Sequence, residues 1–264
     1  MAVATATARA VGELLLSHWN APTTEIRFKG EVDLVTNADL AAEALAIRLL
    51  RAAFPDHTII AEESAQPTPP SRDCWYVDPL DGTTNFAHRY PHVAVSIALA
   101  RDGEVILGVV HDPLRDEQFA AARGAGASFN GRPIRVSDTP TLDRALLATG
   151  FPYDRRQRAS FYVRYLERFL QSGQCVRRGG CAALDLCYVG CGRLDGFWEW
   201  NLKPWDTAAG ALIVAEAGGD VSDFEGRRFS PHGTQVLASN GHIHGEMLHE
   251  LRHLLPHDAP SSSG

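Results

Sequence analysis

Asp78-Pro79-Leu80-Asp81-Gly82-Thr83-Thr84-Asn85 decides how this chain is read. Trp75 to Asp78 is a short β-rich run, so the octet begins where a strand ends and continues as a proline-bent turn. Two carboxylates three residues apart across a tight turn can point into one site, and hard divalent cations such as magnesium prefer carboxylate and carbonyl oxygens. Gly82 permits close backbone approach. If Gly82, Thr83 and Thr84 open a helical turn, their amides offer free N–H donors to a phosphate. Taken alone, D-x-x-D-G fits a plain strand-to-turn junction equally well, with Asp78 and Asp81 as turn formers and Thr83 as a cap.

The spacing narrows the chemistry. In the D-x-D-G-T motif of aspartyl-phosphate phosphatases, nucleophile and acid occupy alternate positions; here the acids are one residue further apart, which disfavours an aspartyl-enzyme and leaves a metal-held water as the nucleophile. Outward from the octet, Glu62 in Ala61-Glu62-Glu63-Ser64 follows the short strand Thr58 to Ala61, and Asp206 in Trp205-Asp206-Thr207-Ala208-Ala209-Gly210 opens a helix. Singly, these read as a solvated acid and a first-turn acid complementing a helix dipole. Together with Asp78 and Asp81 they suggest a shared cation site.

Further elements follow from period and punctuation. Ala8, Val11, Leu15 and Trp19 recur at helical spacing up to Asn20-Ala21-Pro22. A second helix starts at the T-x-x-D capping box of Thr36 and Asp39, carries Leu40, Ala44, Ile47, Leu50 and Phe54 on one face, and stops before Pro55. Gln66 to Ser71 reads as an irregular Pro-rich loop. Val93 to Arg101 and Glu104 to His111 form a hairpin about Asp102-Gly103, and Asn130-Gly131 marks another turn. Beyond it come a strand at Leu146 to Thr149, a helix around Phe161 to Leu170, a strand near Val176 and a helix from Ala182 to Tyr188. A strand at Gly196 to Glu199 precedes the helix from Trp205 to a cap at Gly218-Gly219, then strands near Val221 and Val236 and a last helix after His242. Strands and helices interleave without a strict β-α-β rhythm, which predicts an α+β chain of layered helices and mixed sheets.

Composition excludes other classes. In 264 residues, 45% are hydrophobic and 22% charged, as in globular domains. A net charge of −7 offers no bulk attraction to phosphate backbones and argues against nucleic acid as the main partner. The longest oily runs, Val93 to Ala100 and Ala208 to Ala215, fall short of the roughly 18 residues of a membrane span. The N-terminus lacks a basic leader region, so a cytoplasmic location is expected. Cys74, Cys175, Cys181, Cys187 and Cys191 are an odd number without a C-x-x-C pair, as for buried thiols in a reducing compartment. His242-x-His244 with Glu246 reads as a solvated cluster, and Ala259 to Gly264 as a disordered tail.

Three separated stretches now make the chain similar to the inositol monophosphatase family of magnesium-dependent, lithium-sensitive phosphatases. They are Ile60-Ala61-Glu62-Glu63-Ser64, Asp78 to Phe86, and Trp205-Asp206-Thr207-Ala208-Ala209-Gly210, in matching order and spacing. The likeness continues through Asp33-Leu34-Val35-Thr36, Phe129-Asn130-Gly131 and Glu216-Ala217-Gly218-Gly219, and so covers nearly the whole chain. It implies a layered α-β-α-β-α sandwich of the sugar-phosphatase type, as one catalytic domain over residues 1–258 with sub-lobes of roughly 1–145 and 146–258, usually in a homodimer.

Carried over residue by residue, the resemblance puts a first magnesium on Glu62, Asp78 and the Leu80 carbonyl and a second on Asp78, Asp81 and Asp206, with Glu62 also available to a third. Thr83, paired with Asp39, would orient and deprotonate the attacking water, while the Gly82 and Thr83 amides grip phosphate. Asp81, Gly180, Cys181, Ala182 and Glu199 would contact substrate. Cys181 stands where serine or threonine is frequent. Phe197, Trp198 and Trp200 read equally as an aromatic wall of that pocket or as core packing. The implied substrates are small phosphorylated polyols or amino alcohols: inositol 1-phosphate first, with histidinol phosphate and fructose 1,6-bisphosphate as alternatives. A regulatory RNA- or partner-binding role is the alternative of a different class.

Overall fold

The computed structural model describes residues 1–21, 26–28, 34–64 and 72–254, with backbone alone at 26–28 and 34. The Pro-rich stretch 66–71, Asp33 and the tail 259–264 lie outside the described residues. In chain order the elements are α1 (Ala2–Trp19), β1 (Ile26–Phe28), β2 (Leu34–Thr36), α2 (Asn37–Ala53), β3 (Thr58–Ala61), β4 (Asp73–Asp81), α3 (Thr83–Ala87), β5 (Ala94–Arg101) and β6 (Glu104–Asp112). There follow β7 (Glu117–Ala122), β8 (Ala127–Phe129), β9 (Arg132–Pro133), β10 (Leu146–Thr149), α4 (Arg155–Ser172), β11 (Cys175–Arg177) and α5 (Ala182–Gly190). The chain continues with β12 (Gly196–Trp200), α6 (Pro204–Glu216), β13 (Asp220–Ser222), β14 (Gln235–Ser239) and α7 (His244–Arg252).

Among the described residues, two mixed sheets carry the fold, besides the short β1-β2 pair. The larger has the order β3-β4-β5-β6-β7-β8-β9, parallel between β3 and β4 and antiparallel beyond. The smaller has the order β11-β10-β12-β14-β13, with its first three strands parallel. Both turns read from the sequence form with positive φ, at Asp102-Gly103 and at Asn130-Gly131.

Side-chain alternation explains the layering. On β5, Val95, Ile97 and Leu99 join the core shared with α1 and α2, whereas Ala94, Ala98 and Ala100 face the core shared with α5 and α6. Small residues on that second side let α6 lie close. A Cβ on Gly108 of β6 would stand 2.8 Å from the Ala209 backbone, so glycine is needed where helix and sheet touch. A third core joins α5 and α6 to the smaller sheet, and a fourth packs α4 and α7 on its outer face. Four cores separate five layers, and the architecture is the expected α-β-α-β-α sandwich.

Two local expectations are corrected. The buried stripe of α2 is Ala38, Asp39, Ala42, Glu43, Ala46 and Leu50, while Leu40 and Ala44 face outward. Polar tethers turn the helix: Asp39 bonds Thr36 and Thr83, and Glu43 accepts from the Glu63 amide at 2.7 Å. Stripping two buried carboxylates of partners would cost several kcal/mol, more than the roughly 1.5–3 kcal/mol gained by burying one leucine. His244 is also not solvated. It is buried between Ser222 and Ser239, whose hydroxyls meet its two ring nitrogens at 2.9 Å each, and it ties α7 to β13 and β14. All five cysteines are free, with Cys175 and Cys191 half-buried rather than enclosed.

Candidate active site

Along an unbroken strand, residues three apart face opposite ways. Between Asp78 and Asp81, β4 spends three steps against two on β5, where the partners are Ser96 and Ala94. This extra residue, at Pro79-Leu80, lets both acids turn to one side. Asp78 then accepts from the Leu80 amide at 2.9 Å. Gly82 follows in the left-handed region at φ 94° and caps α3; a Cβ there would come within 2.9 Å of the His92 carbonyl oxygen. Among the described residues, the Gly82 and Thr83 amides have no protein acceptor, as expected of a helix start.

Thr83 Oγ1 donates to Asp39 Oδ1 at 2.8 Å and lies 3.1 Å from the Leu80 carbonyl. The other Asp39 oxygen, Oδ2, accepts from the amide and hydroxyl of Thr36 and so completes the capping box of α2. One buried carboxylate therefore starts a helix with one oxygen and holds a threonine hydroxyl with the other. Burial pushes the Asp39 carboxyl up, and the bonds from Thr36 and Thr83 pull it back.

Glu62, just past β3, and Asp206, in the first turn of α6, bring two more acids to the end of β4. Asp206 accepts from the Lys203 amide at 2.7 Å, and Pro204 occupies the position where a helix tolerates a missing N–H. Asp78 is 1% exposed and its carboxyl is raised by burial, then by the charges of Glu62, Asp81 and Asp206. Asp206 is pushed up to about 7 by burial and by Asp81. Asp81 rises to about 6 through burial, although the Ala183 amide (2.7 Å) and the Cys181 thiol (3.2 Å) both donate to its Oδ2. No three acidic, histidine or cysteine side chains among the described residues have closed to metal-cage spacing. The mutual fields show nonetheless that these carboxylates share one neighbourhood, where like charges separate unless protons or cations intervene. The donor set consists of oxygens, which suits a hard cation.

Across the cluster stands the segment before α5. The Asn85 side-chain amide donates to the His92, Gly179 and Gly180 carbonyls at 2.8, 3.0 and 3.3 Å, fastening α3 to Gly180-Cys181-Ala182. Glu199 is buried on β12, with its carboxyl so close to Gly150 that a Cβ there would overlap it. Burial raises Glu199 far above the usual range; the Arg178 guanidinium opposes this, while Asp185, Asp206 and Asp81 add to it. Glu199 thus lies in the field of the same cluster. Trp198 and Trp200, on the opposite face of β12, pack with Phe161, Phe169 and Phe224 and are core; Phe197 is enclosed between α5 and β12.

The structure adds residues to which sequence reasoning gave no role. Asn85 was inside the octet, but besides the nearby His92 carbonyl its partners, Gly179 and Gly180, come from about 95 residues further on. Arg178 belongs to the pair Arg177-Arg178, which in sequence is no different from Arg155-Arg156 or Arg227-Arg228. Asp185 is buried on α5 at 3.6 Å from His92, and an acid inside the apolar run Ala182 to Val189 was a signal for such a partner.

A sequence profile described as the inositol monophosphatase family matches residues 1–256. The Nus factor SuhB of Escherichia coli is 45% identical over 252 residues, covering 95% of this chain and 94% of that protein. The inositol-1-monophosphatase of Synechocystis is 45% identical over 251 residues, covering 94% of this chain and 87% of that protein. The crystal structure of the extragenic suppressor protein SuhB from Bartonella henselae superposes with a TM-score of 0.90 at 40% identity, over 96% of this chain and 98% of that one. With the profile spanning nearly the whole chain and the fold shared, this protein belongs to the inositol monophosphatase family.

Proposed function

We propose that this chain is a magnesium-dependent phosphoric monoester hydrolase whose first substrate is inositol 1-phosphate. The observation that carries the reading is the set of mutually raised carboxylates beside an Asp39-bound Thr83 hydroxyl and two free helix-start amides. Glu62, Asp78 and the Leu80 carbonyl would hold one magnesium ion and Asp78, Asp81 and Asp206 a second, with Glu62 also serving a third. When bound, these cations supply charge that neutralises phosphate, acidifies water and stabilises a departing alkoxide.

The chain's own groups do the positioning. Thr83 Oγ1 takes the proton of an incoming water as its own proton moves toward Asp39 Oδ1. The Gly82 and Thr83 amides hold phosphate oxygens at the start of α3. Asp81, Gly180, Cys181, Ala182 and Glu199 line the leaving-group side, where Glu199 accepts a polyol hydroxyl. Phosphate leaves directly, without a covalent enzyme intermediate. A homodimeric state, lithium sensitivity and a cytoplasmic location belong to the same reading.

Phosphate release from inositol 1-phosphate, histidinol phosphate and fructose 1,6-bisphosphate, with and without magnesium, tests it. Preference for either alternative substrate would reassign the leaving-group side, and no hydrolysis of any of them would sink the hydrolase reading. Glu199→Gln is expected to raise KM for inositol 1-phosphate while sparing an aryl phosphate. The loss of one bond to a charged acceptor is worth about 1.5–3 kcal/mol, or roughly tenfold to a hundredfold in kcat/KM. An equal loss on both substrates would mean that Glu199 supports the fold or the metal cluster instead.

pH dependence follows from the raised acids. A carboxylate whose folded pKa is raised keeps its proton longer in the folded than in the unfolded chain, so its contribution to stability falls as pH rises from about 4 toward 7. Magnesium binds only the ionised form. With Asp81 at about 6 and Asp206 at about 7, magnesium is expected to raise Tm strongly near about pH 8 and little near about pH 5.5. Equal shifts at both would place magnesium elsewhere.

A second reading rests on the relative named Nus factor SuhB and on α4, which carries Arg155, Arg156, Arg158, Arg164 and Arg168 against Glu167 alone. An anionic partner on that helix would bind in a salt-dependent way, and RNA binding that survives Asp81→Asn would support this role.

A further inference from the structure

The C-terminal end of α7 brings two imidazoles together, His249 in its last turn and His253 at the residue that caps it. His249 and His253 are four residues apart and both exposed, with ring centroids 4.3 Å apart and Nε2 atoms 3.0 Å apart. Residues at this spacing share one helix face, and the His253 amide, bonded to the His249 carbonyl at 3.3 Å, carries the turn through the pair. Other side chains of α7 are engaged elsewhere: Glu250 with Arg168, Glu246 with the Leu142 amide, Arg252 with the Glu225 carbonyl, and Met247 and Leu251 in the core. Among the described residues, the two rings have no hydrogen-bond partner besides each other.

Two nitrogens bound to one cation at about 2.0–2.1 Å, at tetrahedral or octahedral angles, stand roughly 3 Å apart, and this pair is already at that separation. We propose that His249 and His253 form a bidentate site for a borderline transition cation, zinc, nickel or copper, with water completing the coordination. Imidazole nitrogens favour these ions, whereas the oxygen cluster at the end of β4 favours magnesium, so the two sites differ in chemistry as well as position. In the metal-free pair, one Nε2–H donates to the other Nε2. Binding needs only that the donor ring carry its proton on Nδ1 instead, which frees both Nε2 lone pairs. The carbonyl end of a helix favours positive charge. A metal joining successive turns would therefore clip the end of α7 and keep Leu251 in its core.

The test is copper(II), added below one equivalent to the full chain in excess magnesium and followed by electron paramagnetic resonance. The expected spectrum shows coupling to imidazole nitrogens, and each of His249→Gln and His253→Gln weakens copper binding at least about tenfold, as expected when a metal loses a ligand. Both side chains are exposed, and both substitutions are expected to leave phosphate release unchanged. Zinc is expected to raise Tm of the parent protein and of neither variant. An oxygen-only signal in the parent protein, copper binding undiminished in both variants, or an equal zinc response in all three would overturn the assignment.

Discussion

Asp81→Asn and Asp206→Asn are each expected to abolish measurable phosphate release while leaving the fold intact. Both carboxylates are assigned to one magnesium ion, and cation stabilisation of a phosphoryl transition state is worth several kcal/mol, about a thousandfold or more in rate. The structure separates that loss from unfolding. An asparagine oxygen at position 81 can still accept from the Ala183 amide, and one at 206 can still accept from the Lys203 amide. Each substitution also removes a buried charge from a crowded cluster, so Tm without metal should hold or rise. Isothermal titration should show weakened binding of a magnesium ion. Normal turnover in either variant would remove that residue from the metal set.

The next largest effect is expected at Thr83 and Asp39. Thr83→Ala should lower kcat by about 100-fold to 10,000-fold with little change in KM, because its hydroxyl is assigned to the attacking water rather than to ground-state binding. Asp39→Asn should behave similarly, since an amide group facing Thr83 Oγ1 would donate where the carboxylate accepts. The double variant should lose little more than either single one, as residues of one relay are not additive. Asp39 also completes the capping box of α2, where a lost cap costs about 0.5–2 kcal/mol, so Asp39→Asn is expected to lower Tm. Fully multiplicative kinetic losses would leave Asp39 with its helix and no part in the chemistry.

Local rules made much of this architecture readable in advance. The octet at Asp78 announced a strand leading into a helix start, although β4 runs on to Asp81 across its extra residue instead of ending at Asp78; the T-x-x-D box announced the start of α2, because both depend on residues a few positions apart. The face of α2 was hidden for the opposite reason: Glu43 is turned inward by the Glu63 amide and Asp39 by Thr83, partners outside the helix that hydrophobic periodicity does not weigh. His244 read as solvated because Ser222 and Ser239, which enclose it, belong to strands earlier in the chain. Trp198 and Trp200 differ from Glu199 only by strand alternation, and which face was outermost depended on where α4 and α7 pack. The acids at 62, 78, 81 and 206 could be proposed as a group from residue type and motif order; their mutual fields appear only once β3, β4 and α6 are assembled.

Phosphate release from inositol 1-phosphate, measured after exhaustive EDTA treatment and again on titration with magnesium, tests the central claim most directly. The predicted result is no detectable release without the metal and full recovery on titration in the parent protein, with none in Asp81→Asn at the same magnesium concentrations. Undiminished release by the EDTA-treated protein, or equal recovery in Asp81→Asn, would contradict it.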